Sequence, residues 1–197
     1  MEPIGTETPT KKERRDHLRA VLAGLSRETI KDRSAVAAGL LFQQPEYRKA
    51  EIVMVFLSLP HEIDTAPIAL RAWQDRKRVL APKISWEQRR LLPIQIDSLT
   101  DGMATTLMGL REPAQGVPIP VSYIDLVIVP ALGFDRLGNR LGRGRGFYDR
   151  FLAHREFRAV ACGLAFEEQV VERLPAGPHD IPVAMLVTDT QVRRFGR

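Results

Sequence analysis

Residues 51–59, EIVMVFLSL, show no alternation between wet and dry positions. An unbroken run of β-branched and aromatic residues suits a strand covered on both faces. The rest of the chain offers covering segments in the right places. Residues 10–25 read as a helix: Thr10 followed by Glu13 fits a capping box, and Leu18, Val21, Leu22 and Leu25 fall on one face. A second helix follows Ser26 and reaches about Gln43, with Pro45 as its stop. Residues 65–76 are helical in pattern, 77–84 and 89–96 read as strands, the latter weakened by Pro93, and 98–120 are mostly loop. The strongest strand, 125–134 (DLVIVPALGF), is followed by a helical segment at 147–155 and a strand at 157–166. A helical turn or two at 167–174 and a last strand at 184–190 complete the chain. Strands alternating with helices indicate an α/β fold, a three-layer sandwich with a mostly parallel sheet flanked by helices and an N-terminal helical pair. No repeat or linker divides residues 1–197, which read as a single domain with residues 1–9 flexible.

Ligands of open parallel sheets sit beyond the carboxyl ends of the strands. Two polar loops lie there: SLPHEIDT at 58–65, and the segment 133–149 after the strongest strand. Within the latter, GNRLGRGRGFYD (138–149) packs four glycines and three arginines into twelve positions. Glycines let backbone N–H groups converge on an anion, and a following helix N-terminus adds its dipole. Arg140, Arg143 and Arg145 supply donor forks that match phosphate oxygens. A polyphosphate would relieve their mutual repulsion. The segment is neither a Walker loop, lacking G-x-x-x-x-G-K-[ST], nor a G-x-G-x-x-G dinucleotide turn. By composition it also fits an RNA-binding patch, although its place between a strand and an amphipathic helix argues against that. Asp149 at the start of that helix either complements the dipole or, with Asp180, holds magnesium beside phosphate.

Net charge is +5 and the pI 9.7, which favour an anionic partner. Basic residues concentrate at 11–19 and 136–150, as a local site does, more than a broad nucleic-acid face. No apolar run approaches the roughly 18 residues of a bilayer span. The first sixteen residues carry acids and no apolar core, so neither a secretory signal nor a transit peptide is expected. One cysteine, Cys162, cannot form an internal disulfide, and a cytoplasmic location is expected.

Over VPALGFDRLGNRLGRGRGFYDRFL the chain resembles the 5-formyltetrahydrofolate cyclo-ligase family, also called methenyltetrahydrofolate synthetases. KKERRDHLRAVLAGLS resembles that family's opening helix, FLSLPHEIDT its folate-site loop, and LAFEEQVVERLPAGPHDIPVAMLVTD its closing segment, in the same order. The resemblance implies a three-layer α/β enzyme. Its reaction would be ATP- and Mg2+-dependent closure of 5-formyltetrahydrofolate to 5,10-methenyltetrahydrofolate, releasing ADP and phosphate. By the same resemblance, Lys11 and Arg15 join Arg140, Leu141, Gly142 and Arg143 around ATP. Gly144, Arg145, Gly146, Phe147 and Tyr148 continue that ATP site, with Arg143, Arg145 and Tyr148 as the catalytic group. Leu57 and Glu62 would grip the folate, with Arg143, Gly144, Arg145, Gly146 and Phe147 facing both ligands. Asp149 and Asp180 would serve the metal. Three positions depart from the family pattern: Arg145 where lysine is frequent, Phe147 where tyrosine is common, and Ala184 where an aspartate is frequent. The expected partners are 5-formyltetrahydrofolate and ATP, with no nucleic acid or membrane, acting on a monomer. A paralogue with a changed acceptor and a basic RNA-binding module are the competing readings.

Elsewhere the plainer reading is preferred. Cys162 is expected to be a small buried strand residue, and His179 a loop residue that shapes Asp180. Trp73 and Trp86 are expected to pack in the core, and Lys12, Arg14 and Arg19 to face solvent on the first helix. His61 faces either solvent or substrate.

Overall fold

A computed structural model describes residues 9–106 and 109–196, so the flexible tail expected at 1–9 lies, Pro9 apart, outside the described residues. Helix α1 (Lys11–Ala23) starts on the expected capping box: Glu13 N donates to Thr10 Oγ1 at 3.3 Å, and Thr10 N donates to Glu13 Oε2 at 2.8 Å. Helix α2 (Arg27–Phe42) is capped by Ser26, whose Oγ accepts from Thr29 N. Pro45 does more than stop α2. It opens a short helix α3 (Pro45–Lys49), where its missing N–H costs nothing.

Strand β1 (Ile52–Met54) is next, followed by α4 (Ala66–Gln74), β2 (Arg78–Ser85) and β3 (Arg90–Ile96). A hairpin of β4 (Met103–Thr105) and β5 (Arg111–Pro113) occupies much of the stretch read as loop. Then come β6 (Leu126–Val129), β7 (Gly133–Asp135), β8 (Arg140–Leu141), α5 (Phe147–Leu152), β9 (Val160–Ala165), β10 (Val170–Val171), β11 (Met185–Thr188) and β12 (Val192–Arg194). The main sheet runs β12-β11-β9-β6-β1-β2-β3. Its five inner strands are parallel and only the two edge strands are antiparallel. Pro93 is tolerated because β3 is such an edge.

Successive residues of a strand face opposite ways. Val53, Leu126, Ile128, Leu164 and Val187 therefore pack with Leu18, Leu22, Ala37, Leu41 and Ile68 of α1, α2 and α4 in one cluster. Met54, Val127, Val129, Ala161 and Leu186 pack with Phe151 and Leu152 of α5 in the other. Three layers, with the mostly parallel sheet in the middle, are what the alternating pattern required.

Local expectations were overridden in several places. The run 51–59 pairs as a strand only over Ile52–Met54, and from Ser58 the chain is turned by side-chain bonds, Ser58 Oγ donating to Ile63 O and accepting from Thr65 N. The run 125–134 does not continue as one strand: after Val129 the chain bends at Pro130, and β7 pairs instead with β8 and β10 in a second, three-stranded sheet. Residues 167–174 form only one 3₁₀ turn before β10. Gln169, 3% exposed, spends its amide on this outcome: Nε2 donates to Ala131 O and Leu132 O, and Oε1 accepts from Phe166 N. Those contacts have no counterpart in a continued helix.

Candidate active site

Going out from β1 the sheet order runs to β2 and β3 on one side and to β6, β9 and β11 on the other. A crevice is expected where the order reverses, beyond the carboxyl ends of β1 and β6. A cavity of about 370 Å³ sits there, lined by the segments that leave these strands, including Phe56, Leu57, Glu62, Pro130 and Ala131.

The glycine–arginine loop forms its polar side. The loop's entry is rigid because buried Asp135 accepts from Leu137 N, Asn139 N, Asn139 Nδ2 and Leu174 N, all at 2.9–3.1 Å. After β8 the chain arcs through Gly144 (φ 99°) and Gly146 (φ 65°) into α5. Side chains other than glycine rarely adopt those dihedrals, and the Gly144 α-carbon faces the Arg15 guanidinium, 3.6 Å from where a Cβ would sit. Helix α5 has six residues and no side-chain cap, shorter than the pattern over 147–155 suggested.

Arg140 is the most enclosed cation, its side chain 3% exposed. Its Nη2 donates to Asp149 Oδ1 at 2.6 Å, yet its Nε is buried with no partner. Burial disfavours its charge, and the carboxylates of Asp149 and Asp180 restore only part of the loss. Such a guanidinium is short of acceptors. Lys11 of α1 reaches Asp180 Oδ2 at 2.5 Å, and Gly177 N donates to the same oxygen. Burial pushes the Asp180 carboxyl up, but Lys11 and the Gly177 amide outweigh it and hold the group below its usual range. Arg15 Nε donates to Gly142 O at 2.9 Å, tying α1 to the loop.

Across the cavity, Arg143 pairs with Glu62, Nη2 to Oε1 at 2.7 Å and Nε to the same oxygen at 3.1 Å. Glu62 is held in place by Leu59 N on its other oxygen. The Tyr148 hydroxyl is buried without a partner, and burial pushes its pKa up, so it stays a donor. Arg145 lies over the Trp86 ring at 5.6 Å, and Trp86 meets Phe147 edge-on at 5.4 Å.

All fifteen residues expected at the site line this one cavity. Several further lining residues escaped the sequence reading. Trp86, expected in the core, is 44% exposed and lines an apolar wall of the cavity with Ile84 and Leu91. Arg111 and Glu112 come from the hairpin that read as loop, and Glu112 Oε2 anchors it by accepting from Ile84 N. Nothing in the local pattern distinguishes these positions; only the packing of the hairpin against β2 brings them in. Arg14 is half-buried, with its Nε out of solvent, and does not simply face water. Cys162 is buried as expected, and burial pushes its thiol up. His61 and His179 are exposed, while Asp180 takes its bonds from Lys11 and Gly177.

Among the described residues no three His, Cys, Asp or Glu side chains cluster as a metal cage. Asp149 Oδ1 accepts from Arg140 and Ile181 N, and Asp180 Oδ2 from Lys11 and Gly177 N, which leaves one oxygen of each carboxylate without a hydrogen bond. Magnesium usually takes one or two carboxylates with phosphate oxygens and water. The pair fits that role.

The model of the 5-formyltetrahydrofolate cyclo-ligase family matches residues 7–189. This chain belongs to that family. Among curated cyclo-ligases, that of Escherichia coli K12 is 33% identical over 172 residues, covering 85% of this chain and 94% of the relative. The mouse 5-formyltetrahydrofolate cyclo-ligase is 27% identical over 188 residues, covering 90% and 93%. The solved 5,10-methenyltetrahydrofolate synthetase of Aquifex aeolicus superposes with a TM-score of 0.82 at 31% identity, covering 95% of this chain and 94% of that one. As a cyclo-ligase family member the chain is an enzyme, a ligase of folate one-carbon metabolism. Its α/β fold is that of the synthetases. No helix among its described residues is long and apolar enough to cross a membrane.

Proposed function

We propose that this cyclo-ligase converts 5-formyltetrahydrofolate to 5,10-methenyltetrahydrofolate with consumption of ATP, in the cavity between the Gly–Arg loop and the loop after β1. One observation carries the reading: an under-satisfied buried guanidinium, Arg140, opens onto the same cavity as the Leu57 and Glu62 loop and the Trp86 wall. A cavity with cations and flat apolar walls suits a phosphorylated nucleotide lying against an aromatic heterocycle.

A formamide carbon is a poor electrophile because the nitrogen lone pair feeds the carbonyl. The formyl oxygen attacks the γ-phosphorus as the bond to the β-phosphate oxygen breaks, and ADP departs. The resulting iminium carbon accepts the N10 lone pair, the N10 proton is lost, and the carbon–oxygen bond then breaks to release phosphate. No protein nucleophile is needed, so the protein positions the reactants and stabilises charge. Arg140, Lys11 and Arg15 receive the phosphates; Arg143 and Arg145 meet the transferring group, and Tyr148 donates its unpaired hydroxyl there. Asp149 and Asp180 would hold a magnesium ion, which would supply neutralisation of phosphate charge.

Glu62 and Arg143 neutralise each other in the ligand-free protein. A triphosphate offers Arg143 stronger acceptors, which frees Glu62 Oε1 to accept from pterin N–H groups while Leu59 N keeps the carboxylate oriented. Phe147 in place of tyrosine keeps a ring against Trp86.

The test is the growth of methenyltetrahydrofolate absorbance when protein, MgATP and 5-formyltetrahydrofolate are mixed. Folded protein that produces no such absorbance, with ATP present, removes the reading. Consumption of ATP only with another acceptor would favour the changed-acceptor paralogue.

A further inference from the structure

A second cavity of about 460 Å³ adjoins the first and shares Leu59, Glu62 and Arg111 with it. Its outer rim carries Arg27 and Lys31, one turn apart on α2. Neither side chain makes a hydrogen bond or ion pair with another described residue, and the Arg111 side chain makes only one bond, to Leu99 O at 3.2 Å. Two acids face these three cations. Glu62 is paired with Arg143, and Asp64 Oδ1 accepts from Ala66 N at 2.9 Å. The groove is therefore net positive, and the Arg27 and Lys31 side chains have no partner among the described residues.

We infer that this groove takes the glutamyl tail of the folate substrate, with Arg27, Lys31 and Arg111 receiving its carboxylates. The inference rests on the folate-processing reading above. A cavity of about 370 Å³ is near the lower end of what a single drug-sized ligand fills, and the proposed reaction brings two ligands together. Part of one ligand has to leave the first cavity. In the proposed reading phosphate is met by Lys11, Arg15 and Arg140, and among the described residues no aromatic side chain lines the groove to stack an adenine. The remaining component with negative charge is the tail, which carries two carboxylates in the monoglutamate and one more for each further γ-linked residue. The groove opens past Glu62, the residue proposed to hold the pterin, so pterin and tail would lie on either side of the Leu59–Glu62 turn.

The experiment compares wild type with Arg27→Glu/Lys31→Glu on 5-formyltetrahydrofolate, on its triglutamate, and on 5-formyltetrahydropteroate, which lacks the glutamate. Two exposed attractions are lost and charge reversal adds repulsion, so KM for the monoglutamate should rise about tenfold and for the triglutamate more. KM for the pteroate should change less than about twofold. The difference should shrink at high salt, as screened contacts do. An equal rise on all three compounds, or none on the glutamates, overturns the inference. If wild type turns over none of them, the cyclo-ligase reading has failed separately. The groove is then tested by titrating the full chain with 4-aminobenzoyl-triglutamate and following amide resonances. Shifts at 27–31 and 109–111 that Arg27→Glu/Lys31→Glu abolishes support it; their absence overturns it.

Discussion

Arg140→Met separates what the buried guanidinium does for the fold from what it does for the nucleotide. Methionine fills much of the same volume without charge. Breaking a buried ion pair by removing one partner ordinarily costs about 3–5 kcal/mol because the other charge is stranded. Here Asp149 is not stranded: its side chain is 22% exposed and Ile181 N still donates to it. The substitution also removes a buried Nε that has no partner. The expected loss without ligand is therefore only about 1 kcal/mol, or about 2–4 °C in Tm for a chain of this size. With MgATP at a hundred times its Kd, wild type should gain about 2.7 kcal/mol, or about 5–11 °C. If Arg140 receives phosphate and its loss weakens binding about a hundredfold, the variant at the same concentration gains about 0.4 kcal/mol and about 1–2 °C. Thermal unfolding with and without MgATP reads both numbers. A variant that keeps the full nucleotide shift refutes the phosphate role. One that loses about 10 °C without nucleotide refutes the claim that the guanidinium is under-satisfied in the free protein.

Arg143→Ala should lower turnover by about 10³ or more, as loss of a transition-state arginine does in other phosphoryl transfers, while its exposed pair with Glu62 contributes under about 1 kcal/mol of stability. Glu62→Gln should raise KM for the folate and leave nucleotide affinity nearly unchanged; steady-state kinetics against each substrate checks both. Glu167 is held at about 2 by its bonds to Arg193, helped by Thr188 and Thr190. Its folded pKa is depressed, so the stability it contributes is present above about pH 4.5 and is lost as pH falls towards 2. Urea melts across that window should show a loss that Glu167→Gln flattens. Cys162 should resist iodoacetamide until the protein unfolds, because the thiol is buried and its thiolate disfavoured; labelling of native protein would contradict its placement.

Residues whose neighbours in the chain set their environment were legible before any coordinates. The capping box at Thr10 and Glu13 is local, so α1 begins where the sequence places it. Runs such as 126–129 have no wet face, so they had to become inner strands of a covered sheet. The loop 138–149 was recognisable because glycine and arginine at that density oppose ordinary packing and suit an anion. Family resemblance then named partners from distant segments, Lys11, Glu62 and Asp180, that no spacing rule connects.

Tertiary structure decided the rest. Whether a strand ends or turns into a second sheet depended on Pro130 and on the amide of Gln169 reaching Ala131 and Leu132. Trp86 shares a cavity with Arg111 and Glu112 because β5 packs against β2, a relation set by contacts more than twenty residues apart in the chain. Lys11 meets Asp180 across 169 positions of chain. Short-range pattern fixes which way a residue faces within its own element; which charges and rings then share one crevice depends on the order in which strands assemble, and that order is a property of the whole chain.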